Sequence, residues 1–190
     1  MTAVLPELAL VDLRHVFQRD RLDRVQDQDF VALDGAIRDA APQAVVGFDL
    51  RALKYVGYSF SKRTIRKALK RRNADEYGER RLIIISDQGR DFLDGLEAAL
   101  REQKLFMLMA PGPEALGQGR LIGAVPSYLE DTFNALRDLE EATTGTLART
   151  IDESAQNTKN RLDQLHAMGL LRREKVPSQT GGVEWNNRIF

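Results

Sequence analysis

Apolar residues fall in two rhythms along the chain, and the rhythm changes near residue 125. In the first stretch, short apolar runs alternate with amphipathic segments. Leu8 to Phe17 has strand character, Phe30, Leu33, Ala36 and Ile37 form one helical face, and Gln43 to Leu50 reads as a buried strand. From Ser59 to Arg72, Phe60, Ile65 and Leu69 recur at helical spacing among seven basic residues. Leu82 to Ile85 and Leu105 to Met109 predict two further buried strands, with Phe92, Leu93, Leu96 and Leu100 marking the helix between them. Strands alternating with helices predict an α/β fold, paired mainly in parallel through right-handed crossovers. Strand interiors without charge predict helices on both faces of the sheet.

Pro111-Gly112-Pro113 and Gly117-Gln118-Gly119 interrupt this pattern, and Leu121 to Val125 reads as a last edge strand. Pro126-Ser127 then opens a helix running to about Glu141, with Ser127 as its N-cap and Leu129, Phe133, Leu136 and Leu139 on its apolar face. The expected division is therefore residues 1–125 and residues 126–190. Within the second part, Leu147 to Ile151, a turn, and Ser154 to Leu165 predict two short helices. Gly169 is placed to end the second, and a strand pair is expected around Gln179-Thr180-Gly181-Gly182. Leu147, Ile151, Leu162, Leu165 and Leu170 are its expected core.

Composition narrows the classes. With 190 residues, 43% hydrophobic content and a mean hydropathy of −0.38, the chain reads as an ordinary globular protein of one large or two small domains. It has no run of about 18 uncharged apolar residues and no signal-peptide pattern, so the expected location is the cytoplasm, with no membrane partner. There is no Cys, which removes disulfides, thiolate metal sites and cysteine nucleophiles together. Twenty-eight basic residues balance twenty-eight acidic ones, so any affinity for nucleic acid has to come from local clustering.

The order of elements from Ala142 onward resembles a winged helix-turn-helix. That resemblance implies double-stranded DNA as partner, with the third helix in the major groove. On its early turns stand Ser154, Gln156, Asn157, Lys159, Asn160 and Arg161, where amides can pair with adenine and cations with guanine or phosphate. Arg172, Arg173, Lys175 and Arg188 flank the wing and are expected to hold the DNA backbone. A homodimer would set two such helices against half-sites about 34 Å apart.

A second resemblance lies in the first part. Val45 to Phe60, with Asp49 after the strand and Tyr55-Val56 ahead of the helix, looks like the central strand, loop and helix start of STAS domains, the fold of anti-sigma factor antagonists. Ser59 then falls where antagonists carry a phosphorylated Ser or Thr, although this chain has Gly57 and Phe60 around it where the family has Asp and Gly. The resemblance implies a sensor or a protein-binding domain, with Ser59 as switch or simply as helix N-cap. Lys62, Arg63, Arg66, Lys67 and Lys70 form a basic stripe available to phosphates or to an acidic partner.

The residues give little toward catalysis. His15 and His166 anchor no triad, and no phosphate-binding glycine loop is present. Asp87, Asp91 and Asp94 follow a buried strand and suit helix capping better than a metal site. The reading is thus a DNA-binding regulator with no cofactor, no metal and no reaction. A partner-switching protein acting by protein contact and, less favoured, a nucleotide- or metal-dependent enzyme stay open.

Overall fold

The computed structural model describes residues 7–177 and 182–189. Its elements in order are β1 (Leu8–Asp12), α1 (Leu13–Phe17), β2 (Arg21–Leu22), α2 (Asp29–Asp39), β3 (Val45–Asp49), β4 (Tyr55–Val56), α3 (Tyr58–Arg63), α4 (Ile65–Asn73), β5 (Arg81–Ile85), α5 (Arg90–Arg101), β6 (Phe106–Ala110) and β7 (Arg120–Gly123). There follow α6 (Ser127–Asp138), β8 (Glu141–Thr143), α7 (Thr144–Thr150), α8 (Ala155–Ala167), β9 (Arg172–Pro177) and β10 (Val183–Arg188). The described residues divide into two compact units: residues 7–115 with Gly119–Val125, and a second that holds Leu116–Gln118 with the described residues from Pro126 on.

The first unit is α/β. Its five-stranded sheet has the order β1-β3-β5-β6-β7, parallel throughout except for the antiparallel β6–β7 pair. Val46 and Phe48 of β3, Ile84 of β5 and Met107 and Met109 of β6 join one core with Leu33 and Ile37 of α2, Phe60 of α3, Leu69 of α4 and Leu93, Leu96 and Leu100 of α5. These helices therefore lie on one face of the sheet, not on both as the strand composition predicts. Topology supplies the reason: when each new strand adds on the same side of the last, crossovers of a single hand deliver every helix to the same face. Val45, Ile83, Ile85 and Leu108, which alternate with that set, are buried as well. The strands therefore read as unbroken apolar runs.

Two local expectations change. The strand expected over Leu8 to Phe17 ends at Asp12, whose carboxylate accepts from the His15 N–H at 3.1 Å and starts α1. The single basic helix expected over Ser59 to Arg72 is broken at Thr64 (φ −118°, ψ −81°), whose hydroxyl donates to the Phe60 carbonyl at 2.6 Å. That side-chain bond to the backbone four residues back satisfies the carbonyl at the break.

In the second unit, β8, β10 and β9 form a three-stranded antiparallel sheet beside α6, α7 and α8. The three helices and the strand pair expected from the sequence form, but α6 ends at Asp138 instead of near Glu141, and β8, which pairs with β10, is an added strand that no periodicity marks. Leu129, Phe133 and Leu136 of α6, Leu147 of α7 and Leu162 and Leu165 of α8 are buried, whereas Leu139 is exposed and Ile151 only partly covered. The N-cap position of α6 is Pro126, so Ser127 is its first residue and not its cap. The strand pair does form, over Arg172–Pro177 and Val183–Arg188, while Gln179, Thr180 and Gly181 lie outside the described residues. No helix among the described residues is long and apolar enough to cross a membrane.

Candidate nucleic-acid interface

The orientation of α8 is set at both its ends. Ser154 caps it, accepting from the Asn157 N–H at 3.1 Å. At the other end Gly169 takes φ +67°, its N–H donating to the His166 carbonyl at 2.8 Å while the Leu170 N–H donates to Leu165 at 2.9 Å. These paired bonds close the last carbonyls of the helix, and the left-handed residue they need is best supplied by Gly. Between the caps, Thr158, Leu162 and Leu165 face inward. The period of 3.6 residues then puts Gln156 and Asn160 at the centre of the outward face, with Asn157 and Lys159 at its flanks, and all four are exposed.

The side chains expected to contact DNA are held by one another and by two carboxylates. Gln156 Nε2 donates to Asn160 Oδ1 at 3.0 Å. Asn157 Nδ2 donates to Glu153 at 3.1 Å, and Glu153 also pairs with Arg161. Hydrogen bonds from Asn157 and from the Ser154 N–H, with the Arg161 guanidinium beside it, hold the Glu153 carboxyl below its usual range. Asp163 is lowered in the same way, first by Lys159 at 2.7 Å and then by Arg173 at 2.6 Å. Arg161 is partly buried, its guanidinium 5.7 Å from the Tyr128 ring of α6, which places it at the side of the helix and not at its tip. The Arg173–Asp163 pair ties α8 to the hairpin, within which Arg173 also donates to Asn187 Oδ1 at 3.0 Å. Lys175 stands 5.3 Å over the exposed Trp185 ring, and Arg172 and Arg188 lie on β9 and β10.

Glu153, Asp163, Tyr128 and Trp185 are the residues the sequence reading passes over. Two of them leave a signal: Lys159 and Asp163 are four apart on one helix, and Trp185 is the only tryptophan of the chain. Residues 126–190 contain eight Lys and Arg against ten Asp and Glu, so positive charge here is a matter of placement.

In the first unit, Gly57 occupies the N-cap position of α3, and Ser59 is exposed as the second residue of that helix, not its cap. Asp49 accepts from the Arg51 N–H at 3.0 Å and from its guanidinium at 2.7 Å, and Arg51 keeps the carboxyl below its ordinary range. Lys62 and Arg66 reach Glu102 of the α5 end at 3.2 and 2.6 Å, while Arg63, Lys67 and Lys70 are exposed. Asp87, Asp91 and Asp94 are exposed, and no cluster of His, Asp or Glu suited to a metal ion occurs among the described residues. Asp91 lies in the first turn of α5, whose N-cap position is Gly89 without a side-chain cap.

No protein-family model and no curated protein matches the chain. Among solved structures, one described as "Possible transcriptional regulator from Methanosarcina mazei Go1" is similar to part of it, at 13% identity and a TM-score of 0.32. The match covers 35% of this chain and 57% of the length of that one.

Proposed function

We propose that the chain is a DNA-binding transcriptional regulator. Residues 126–190 act as a winged helix-turn-helix, and residues 1–125 as a STAS-like domain that senses a signal or takes a protein partner, with Ser59 as its candidate switch. The observation that carries this reading is the outward face of α8, where Gln156 and Asn160 stand exposed at the centre with Asn157 and Lys159 beside them. Amide side chains so placed match the paired donor and acceptor that adenine shows in the major groove, at about 1–3 kcal/mol of discrimination per pair. Binding has to exchange the Gln156–Asn160 hydrogen bond for bonds to a base edge, since the Gln156 amide nitrogen and the Asn160 carbonyl oxygen are paired with each other in the free chain.

Selection of genomic fragments by the purified full chain tests the proposal. Gln156→Ala with Asn160→Ala is expected to weaken the selected site by about 10- to 100-fold while leaving the melting temperature within a few degrees, because both residues are exposed. Partner switching through protein contact is the second reading, favoured by the acidic excess of residues 126–190 and by the carboxylates that hold Lys159, Arg161 and Arg173. Failure to enrich any fragment would transfer the proposal to that reading.

A further inference from the structure

A cleft of about 440 Å³ opens in the first unit between the loop that precedes α2 and the α3–α4 pair. One side is cationic: Lys62 and Arg63 approach it from before the Thr64 break, and Arg66, Lys67 and Lys70 from after it. Glu102 balances Lys62 and Arg66. Among the described residues no carboxylate lies within ion-pair distance of Arg63, Lys67 or Lys70. Lys70 donates instead to Gln103 Oε1 at 2.6 Å, and Lys67 Nζ lies 3.9 Å from the centre of the Phe30 ring. Three like charges on neighbouring turns repel one another, and an anion between them relieves that cost.

The opposite side is fixed in place. Asp29, only 4% exposed, accepts from the Gln26 N–H at 2.8 Å and from Arg19 Nη2 at 2.5 Å, which anchors the loop carrying Asp27. The same Arg19 guanidinium lies 5.9 Å from the Phe60 ring of α3, so loop and cationic side share one support.

We propose that this cleft binds a small polyphosphorylated anion. Its volume falls in the range of small-molecule sites. The cations are arranged around a hollow, and the Asp27 carboxylate on the facing side opposes a continuous phosphodiester strand. Three unbalanced cations call for a ligand with two or more negative charges. Arg63 supplies a planar fork for two phosphate oxygens, and Lys67 and Lys70 supply point charges beside it.

Inorganic pyrophosphate is the probe, titrated calorimetrically into the full chain at about 0.15 M salt, where non-specific surface attraction is screened. Saturable binding at one site is expected. Arg63→Glu with Lys67→Glu should weaken it at least about tenfold, and Asp27→Asn should tighten it about two- to fivefold by removing a facing like charge. Gln156→Ala with Asn160→Ala should leave it unchanged, which separates this site from the DNA reading. Non-saturable heat, an unchanged affinity in the double charge reversal, or weaker binding by Asp27→Asn would each overturn the proposal. Displacement of pyrophosphate by duplex DNA would overturn it too, giving the cleft to nucleic acid. If the double reversal fails to fold, the Asp27→Asn result decides.

Discussion

Glu102, at the C-cap of α5, receives the Tyr58 hydroxyl at 2.7 Å, Lys62 at 3.2 Å and Arg66 at 2.6 Å. The Tyr58 hydrogen bond first, and then Lys62, hold its carboxyl down at about 2, against an ordinary value of 4.5. A depressed carboxyl contributes its stabilisation fully above the unfolded value and loses it as pH falls through the folded one, so the window here runs from 4.5 down to about 2. A carbon-detected titration of Glu102 is expected to show a midpoint near 2, moved upward by Tyr58→Phe; an ordinary midpoint in the unaltered chain would refute the cluster. Gln156 and Asn160 were legible as surface donors because helical period alone puts them outward. Arg161 was not, because its partner Glu153 lies eight residues back across the helix start, a spacing that no helical rule connects.

Helix ends were more legible than helix breaks. Gly169 stands out in the sequence as a terminator and does that work in α8, whereas Ser154, read there as a DNA contact, turns out to be the cap, and Ser127 and Ser59, read as caps, are not. Gly169→Ala is expected to cost about 1–2 kcal/mol, since φ +67° brings a Cβ against the following carbonyl, and thermal unfolding would measure it. An unchanged melting temperature would mean that the turn rebuilds itself without the left-handed residue. The break at Thr64 had no such marker, for no Gly or Pro lies between Tyr58 and Asn73. The short α1 was hidden for a different reason. The apolar residues from Leu8 to Phe17 satisfy a strand pattern, and only the Asp12 side chain closing on the His15 N–H turns the chain into a helix.

For the whole molecule, equal numbers of acidic and basic residues limit how far electrostatics alone can drive association with DNA. With Arg161 held by Glu153 and Tyr128, the cations read from the sequence as DNA contacts in residues 126–190 come to Lys159, Arg172, Arg173, Lys175 and Arg188. Five contacts at most give a slope of log affinity against log salt no steeper than about −4.5. A measured slope beyond about −6 would locate additional phosphate contacts outside residues 126–190. The α/β class was legible because buried parallel strands leave unbroken apolar runs such as Leu82 to Ile85. That all the core-forming helices share one face was not, because strand order depends on long-range pairing and leaves no period in the sequence.

Trp185 stands exposed on β10 beside Lys175, and it is the chain's one tryptophan. Indole emission from the protein therefore originates at one point of the hairpin, and the chain arrives already labelled. Quenching on addition of DNA would report contact by the hairpin itself. A spectral change on addition of pyrophosphate, whose proposed cleft belongs to the other unit, would reveal a signal crossing the molecule without any dye attached.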